Sequence, residues 1–252
     1  MNTRQTQIAD LLTKYGEVFV RDLAKRLAVT TMTIRRDLDL LEGEGVLIRT
    51  HGGAVLSRAG IVEFAFQRKG AQQAAEKRAI AKRVAALVEA NMTVTLDTGT
   101  TVLEVAKAIG GIRNLTVLTS SLVIASALYA HDNVELVLLG GKARKGSPDL
   151  FGWLTEENLK HFRVDLAVLG ADGADRDGVF TNDESVARVS QSMIGCASTS
   201  VLAADHSKFG NASFLKYASW KDFDYVVTDK GLPSGEAEWL QGAARKLLMA
   251  KA

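Results

Sequence analysis

The stretch Val29-Thr30-Thr31-Met32-Thr33-Ile34-Arg35-Arg36-Asp37-Leu38 decides the fold of the first quarter of this 252-residue chain. Thr30 is a good helix N-cap, because its hydroxyl can accept a hydrogen bond from a first-turn amide. Ile34, Leu38 and Leu41 fall at i, i+4 and i+7, which buries one helical face and leaves Thr31, Thr33, Arg35 and Arg36 outside it. The helix is therefore exposed where its first two turns carry hydroxyls and two guanidiniums. Arginine forks onto a guanine edge or a phosphate, and a helix N-terminus favours anions. Two adjacent arginines alone would mark only a solvated face, so their surroundings decide.

Those surroundings are helical on one side and strand-like on the other. Ile8, Leu11, Leu12 and Tyr15 have the spacing of a first amphipathic helix, and Leu23, Ala24 and Leu27 that of a short second one. Ala28-Val29 is a tight connection into the third, which gives the helix-turn-helix arrangement. After Gly43 and Gly45, the run Val46 to Val55 changes to short apolar pieces around Gly52-Gly53. It reads as a small hairpin, a wing, with Arg49 and His51 near its tip.

Residues 3–58 resemble the winged DNA-binding domain of the DeoR family of bacterial transcription regulators. The family's T-I-R-R-D-L helix is matched by Thr33 to Leu38, and its R-x-H-G-G-A wing by Arg49 to Ala54. The resemblance implies a double-stranded DNA operator as partner. Thr30, Thr31, Thr33, Arg35 and Arg36 would lie at the major groove, with Arg49 and His51 on the backbone.

Length and composition fit this plan. A chain of this size can hold a small domain of about 50–60 residues and a larger one of about 180. Hydrophobic residues make up 47% and charged residues 24%, as in soluble globular proteins. No apolar run approaches the ~18 residues of a membrane helix, and the residues after Met1 hold no secretory core, so the expectation is a cytoplasmic protein with no membrane partner. The single cysteine, Cys196, excludes an intramolecular disulfide and is expected to be a small buried hydrophobe. His51, His131, His161 and His206 lack metal-ligand spacing, so no metal or other cofactor is expected. Residues 1–58 carry nine Lys or Arg against seven Asp or Glu, a net of +2, leaving 22 against 22 for the remainder. So small an excess means that DNA affinity has to come from local clustering and from oligomerisation.

The pattern breaks at Ser57-Arg58-Ala59-Gly60, which sets the expected boundaries: a head over 1–58, a linker over 59–75 and a second domain over 76–252. In that linker Glu63, Phe64 and Arg68 match an acidic, an aromatic and a basic residue usual in the family, to which only a structural role is given. From Glu76 helix and strand alternate. Val94-Leu96, Leu115-Leu118, Val134-Leu139, Leu166-Leu169, Ser200-Ala203 and Tyr225-Val227 are short aliphatic runs between helical patterns, which predicts a mostly parallel sheet covered by helices, an α/β domain. Ligands of such sheets bind beyond the carboxyl ends of the strands. The residues there are Asp97-Thr98-Gly99-Thr100-Thr101, Thr119-Ser120-Ser121, Gly140-Gly141-Lys142, Gly170 to Asp175, and Asp205-His206-Ser207-Lys208. Any one of these sets occurs in ordinary strand-to-helix turns. Five on one edge point to a polar pocket for a phosphorylated, polyhydroxylated molecule. Gly99, Thr100, Thr101, Ser120, Ser121, Gly141 and Lys208 would serve the phosphate, and Asp97 and Asp172 the sugar hydroxyls.

This half also resembles the DeoR family, over about residues 76–230, where D-x-G-T-T, L-x-G-G and D-x-S-K-F-G recur. That effector domain is itself similar to ribose-5-phosphate isomerase, echoed here by Gly99-Thr100-Thr101 and Asp172-Gly173-Ala174-Asp175. The resemblance implies a repressor of a sugar-utilisation operon, acting as a homo-oligomer and controlled by a sugar phosphate. The alternative is a sugar-phosphate isomerase-like enzyme with an appended DNA-binding domain. Against it, Arg176 to Glu184 lacks the isomerase's lysine-glycine run, and Asp183 and Glu184 are better placed as helix caps and dipole partners. Val186 and Ser190 stand where the family often has a glutamate and a lysine.

Overall fold

In a computed structural model, residues 3–57, 66 and 69–251 are described. The linker residues Glu63, Phe64 and Arg68, and the boundary residues Arg58 to Gly60, lie outside them. The chain divides into two compact units, one of Met1–Lys69 with Lys145–Ser147 and one of Gly70–Arg144 with Pro148–Ala252.

The first unit is built from α1 (Thr3–Tyr15), β1 (Glu17–Phe19), α2 (Val20–Arg26), α3 (Thr31–Gly43), β2 (Leu47–Thr50) and β3 (Gly53–Leu56). Ile8 and Leu12 of α1, Leu23 of α2, Ile34, Leu38 and Leu41 of α3, and Val18, Leu47 and Ala54 of the strands form one buried cluster. The predicted helices and hairpin are all present. The short β1 is an addition, pairing antiparallel with β3 so that Phe19 lies opposite Gly53. Two glycines make this pairing feasible. Gly52 takes φ 89° in the two-residue turn after Thr50. A Cβ on Gly53 would run into the Val18 carbonyl oxygen, so only glycine lets β1 approach there.

The second unit is an α/β layer. Its strands β4 (Thr93–Leu96), β5 (Leu115–Thr119), β6 (Val134–Leu138), β9 (Val164–Leu169), β12 (Ala197–Ala203), β14 (Tyr225–Asp229) and β15 (Leu247–Ala250) form a seven-stranded sheet. The order is β15-β14-β12-β9-β4-β5-β6, and each neighbouring pair is parallel. Six of these strands contain the predicted runs; β15 is the additional one. Helices α4 (Ala74–Ala85), α5 (Thr100–Ile109) and α6 (Leu122–Leu128) contribute to the core of one face. Helices α7 (Trp153–Lys160), α8 (Glu184–Cys196) and α9 (Ser234–Ala243) contribute to the other. Val94, Leu96, Val117 and Val168 project into the first core, and Leu118, Ala167 and Leu169 into the second, as the two-residue period of strands covered on both faces requires.

Two antiparallel additions were outside the predicted alternation. β7 (Lys142–Ala143) and β8 (Leu150–Phe151) make a hairpin, and β10 (Gly173–Asp175), β11 (Gly178–Thr181) and β13 (Leu215–Ala218) make a three-stranded sheet. Their strands are too short for a hydrophobic period to show in sequence. Cys196 is buried as expected, and burial pushes its thiol pKa up. Trp220 is buried, with its indole N–H donating to the Asp175 carbonyl at 2.9 Å, whereas Trp153 is 75% exposed.

Candidate DNA-reading helix and effector crevice

In the head, the Thr30 hydroxyl accepts the Thr33 amide at 3.2 Å and lies 2.9 Å from the Thr33 hydroxyl, so α3 begins where the N-cap reading placed it. Thr31, Arg35 and Arg36 are exposed and Thr33 is half-buried. The unassigned letter of the T-I-R-R-D-L motif finds a partner. Asp37 is buried and accepts two hydrogen bonds from the Arg4 guanidinium, at 2.6 and 3.2 Å, which ties α3 to the start of α1. This pair raises the Arg4 pKa, chiefly through the hydrogen bond. No helical period points to such a contact, because it joins residues 33 positions apart.

The wing differs in detail from its sequence reading. His51 occupies the turn and is exposed. Arg49 sits two residues before the turn, half-buried, and its guanidinium donates to Asp39 at 3.1 Å and to the Arg35 carbonyl at 3.3 Å. Its amide donates to the Glu42 carboxylate at 3.1 Å. Arg49 therefore braces β2 against α3, and of the two wing residues only His51 presents its side chain at the tip.

In the second unit the chain leaves β4 toward β5 and β6 on one side, then returns to β9 and continues to β12, β14 and β15 on the other. The direction reverses between β4 and β9, the position at which open α/β sheets open a crevice. Asp97 follows β4 and Gly170 to Asp172 follow β9. Asp97 is 4% exposed, and its carboxylate accepts from the Thr98 amide at 2.8 Å, the Gly170 amide at 3.4 Å and the Ser190 hydroxyl at 3.3 Å. All these donors are neutral. Burial pushes its pKa up to about 6, and the charge of Asp149 adds to the rise. Tyr217 of β13 donates to the Gly170 carbonyl at 2.5 Å, and burial together with Asp97 and Asp172 holds its hydroxyl pKa well above normal. The Asp172 carboxylate accepts from the Thr181 hydroxyl at 3.2 Å and the Asn182 amide at 3.1 Å. Tyr217 carried no signal in the sequence, because β13 was not predicted.

Gly99, at φ 109°, is the N-cap of α5, so Thr100 and Thr101 occupy its first turn beside Asp97. First-turn amides have no intrahelical acceptor and face an anion favourably. Thr100 is half-buried and Thr101 buried. The serines after β5 stand at the start of α6. Ser121 spends its hydroxyl on capping α6, accepting from Ile124 at 3.3 Å. Ser120 is fully buried, its hydroxyl has no hydrogen-bond partner among the described residues, and its carbonyl accepts the Leu150 amide at 2.9 Å, so the β7–β8 hairpin covers it. Gly141 is needed for packing: a Cβ there would collide with the Thr155 hydroxyl and the Phe151 carbonyl. Lys208 follows β12 in a single 3-10 turn capped by Asp205, half-buried, and among the described residues its ammonium makes no ion pair. Asp183 caps α8 through the Ser185 and Val186 amides at 2.8 and 3.3 Å.

An arginine overlooked in the sequence organises this side. Arg144 donates to buried Asp149 at 2.8 and 2.5 Å and lies 3.5 Å from Asp183, joining the hairpin to the N-terminus of α8. Its pKa is raised by Asp149 and Asp183 in spite of its burial. Among the described residues no group of His, Cys, Asp or Glu is arranged to hold a metal ion. None of their helices is long and apolar enough to cross a membrane.

A three-helix head with an exposed capped helix and a wing, followed by an α/β unit with a switch-point crevice, defines the class of two-part DNA-binding regulators. Residues 4–59 match the DeoR-like helix-turn-helix domain, and residues 72–230 match the DeoR C terminal sensor domain. The chain belongs to the DeoR family of transcriptional regulators. It is 33% identical to the putative aga operon transcriptional repressor of Escherichia coli O157:H7, over 98% of this chain and 93% of that one. It is 32% identical to the glycerol-3-phosphate regulon repressor of Escherichia coli K12, over 91% of each. Among solved structures it aligns with ribose 5 phosphate isomerase A from Neisseria gonorrhoeae at 18% identity and a TM-score of 0.40, covering 53% of this chain and 52% of the other.

Proposed function

We propose that the protein represses a carbohydrate-utilisation operon in the cytoplasm, and that a phosphorylated sugar bound in the crevice between β4 and β9 changes its hold on DNA. The observation that carries this reading is the junction at Asp97. A buried carboxylate surrounded by neutral donors stands beside the first turn of α5, so a sugar hydroxyl has an acceptor where a phosphate has helix amides. Lys208 on the next strand end supplies a cation. One relative's name, a glycerol-3-phosphate regulon repressor, fits a ligand that is both phosphorylated and hydroxylated.

Thr31, Thr33, Arg35 and Arg36 enter the major groove, with His51 at the backbone and Arg49 setting the wing. A dimer or larger assembly places two heads on half-sites about one helical turn, or a multiple, apart. The ligand acts by binding one subunit arrangement more tightly than the other. The crevice senses and does not catalyse. Asp183, which the isomerase comparison would leave as a base, is committed to a helix cap and lies 3.5 Å from Arg144.

The test uses duplex DNA from beside the protein's own gene and a panel of pentose and hexose phosphates. One sugar phosphate raises the melting temperature and alters the DNA shift, and none is isomerised. Thr100→Ala with Lys208→Ala retains DNA binding and loses the response. A retained response moves the site elsewhere, and turnover at an enzyme-like rate makes the protein an isomerase.

A further inference from the structure

The head carries a surface that neither DNA reading nor ligand sensing uses. Tyr15 at the end of α1 and Phe19 at the end of β1 are 54% and 47% exposed. They border a hollow of about 210 Å³, lined also by Leu11, Val18 and Leu23, with Glu17, Asp22 and Arg26 at its wall. Lys14 lies over the Tyr15 ring, 5.3 Å from its centre. Among the described residues β1 is an edge strand, paired with β3 on one side only. None of the lining residues belongs to α3 or to the wing.

The charges say what the partner is. A surface made for a foreign protein of one charge would carry the opposite sign, whereas this one carries two acids, Glu17 and Asp22, beside two bases, Lys14 and Arg26. Asp22 and Arg26 are four residues apart on α2, one turn, and so share a face. When two such helices meet antiparallel across a two-fold axis that passes at Ala24, residue 22 of one falls opposite residue 26 of the other, twice. We propose that this surface is a head-to-head contact between two copies of the chain, in which the α2 helices run antiparallel, Asp22 of each faces Arg26 of the other, and Tyr15 and Phe19 close the two hollows. The contact sets the spacing of paired heads on DNA, and it holds whatever the crevice binds.

The test is a disulfide trap in the full-length protein. Asp22→Cys and Arg26→Cys chains are co-expressed and oxidised mildly; Cys196, buried and common to every variant, provides the background. A disulfide needs Cα atoms within about 7 Å, so only the predicted register cross-links efficiently. The co-expressed pair gives several-fold more linked dimer than Asp22→Cys or Arg26→Cys alone, and Phe19→Ser in both chains reduces that yield several-fold without changing the far-ultraviolet spectrum. A pair that cross-links no better than either variant by itself, or a yield indifferent to Phe19→Ser, overturns the proposal.

Discussion

Single residues set the chemistry of both units, and Asp97 is the most informative. Its folded carboxyl binds a proton more tightly than the unfolded one, with a pKa of about 6 against 3.8. Between about pH 4 and about pH 6 the folded state therefore holds more protons than the unfolded state, and stability falls as pH rises through that window, then levels off. Urea titrations of the full chain at pH 5 and pH 7 should show the later part of this fall, on the order of 1 kcal/mol from this group. Asp97→Asn, which cannot ionise, should show a smaller one. Equal pH slopes in the two proteins would mean that Asp97 is not held in a poorly solvated site. Gly53 provides a second residue-scale prediction. The added methyl of Gly53→Ala meets the Val18 carbonyl, so the head should lose about 1–3 kcal/mol, read as a lower urea midpoint for its unfolding.

At the scale of the element, the question is which basic side chains of the head touch DNA and which hold its parts together. Arg35 and Arg36 are exposed on α3 and make no ion pair among the described residues, whereas Arg49 is spent on Asp39 and the Arg35 carbonyl. Replacing a base-reading arginine costs about 1–3 kcal/mol of specific binding, and losing a phosphate contact reduces the salt slope by about one. Arg35→Ala should accordingly weaken binding to the duplex about tenfold or more. Arg49→Ala should weaken it while leaving the slope of log affinity against log salt at its wild-type value. A reduced slope for Arg49→Ala would show that its guanidinium leaves Asp39 for a phosphate on binding. In the α/β unit, Arg144 gives the analogous test. Arg144→Ala removes the guanidinium that donates twice to buried Asp149, so the hairpin over Ser120 should loosen, read as faster hydrogen exchange at Leu150, whose amide donates to Ser120.

For the whole molecule, the two units have separate cores and separate chemistry. Core truncation in one should therefore leave the other's binding intact. Leu38→Ala, at a fully buried position of α3, should cost the head about 2–5 kcal/mol and abolish the DNA shift. The same protein should keep the thermal response to a sugar phosphate proposed for the second unit, measured on that unit's transition. Loss of both together would mean that the units fold as one.

Residues 30–38 show how far the sequence reaches. Cap, apolar period and exposed arginines are local properties, set within two or three turns of one helix, and so were the six parallel strands, whose aliphatic runs are continuous because both faces are covered. The position of Asp97, Gly99 and Asp172 at strand ends followed from that alternation alone. What required the tertiary structure were the long-range pairs: Arg4 with Asp37, Arg49 with Asp39, Arg144 with Asp183, Tyr217 with Gly170, and the hairpin that covers Ser120. A polar residue's partner across tens of positions leaves no period in the sequence, since any carboxylate or carbonyl could serve. Only the packing of elements around a shared core decides which one comes within hydrogen-bonding distance.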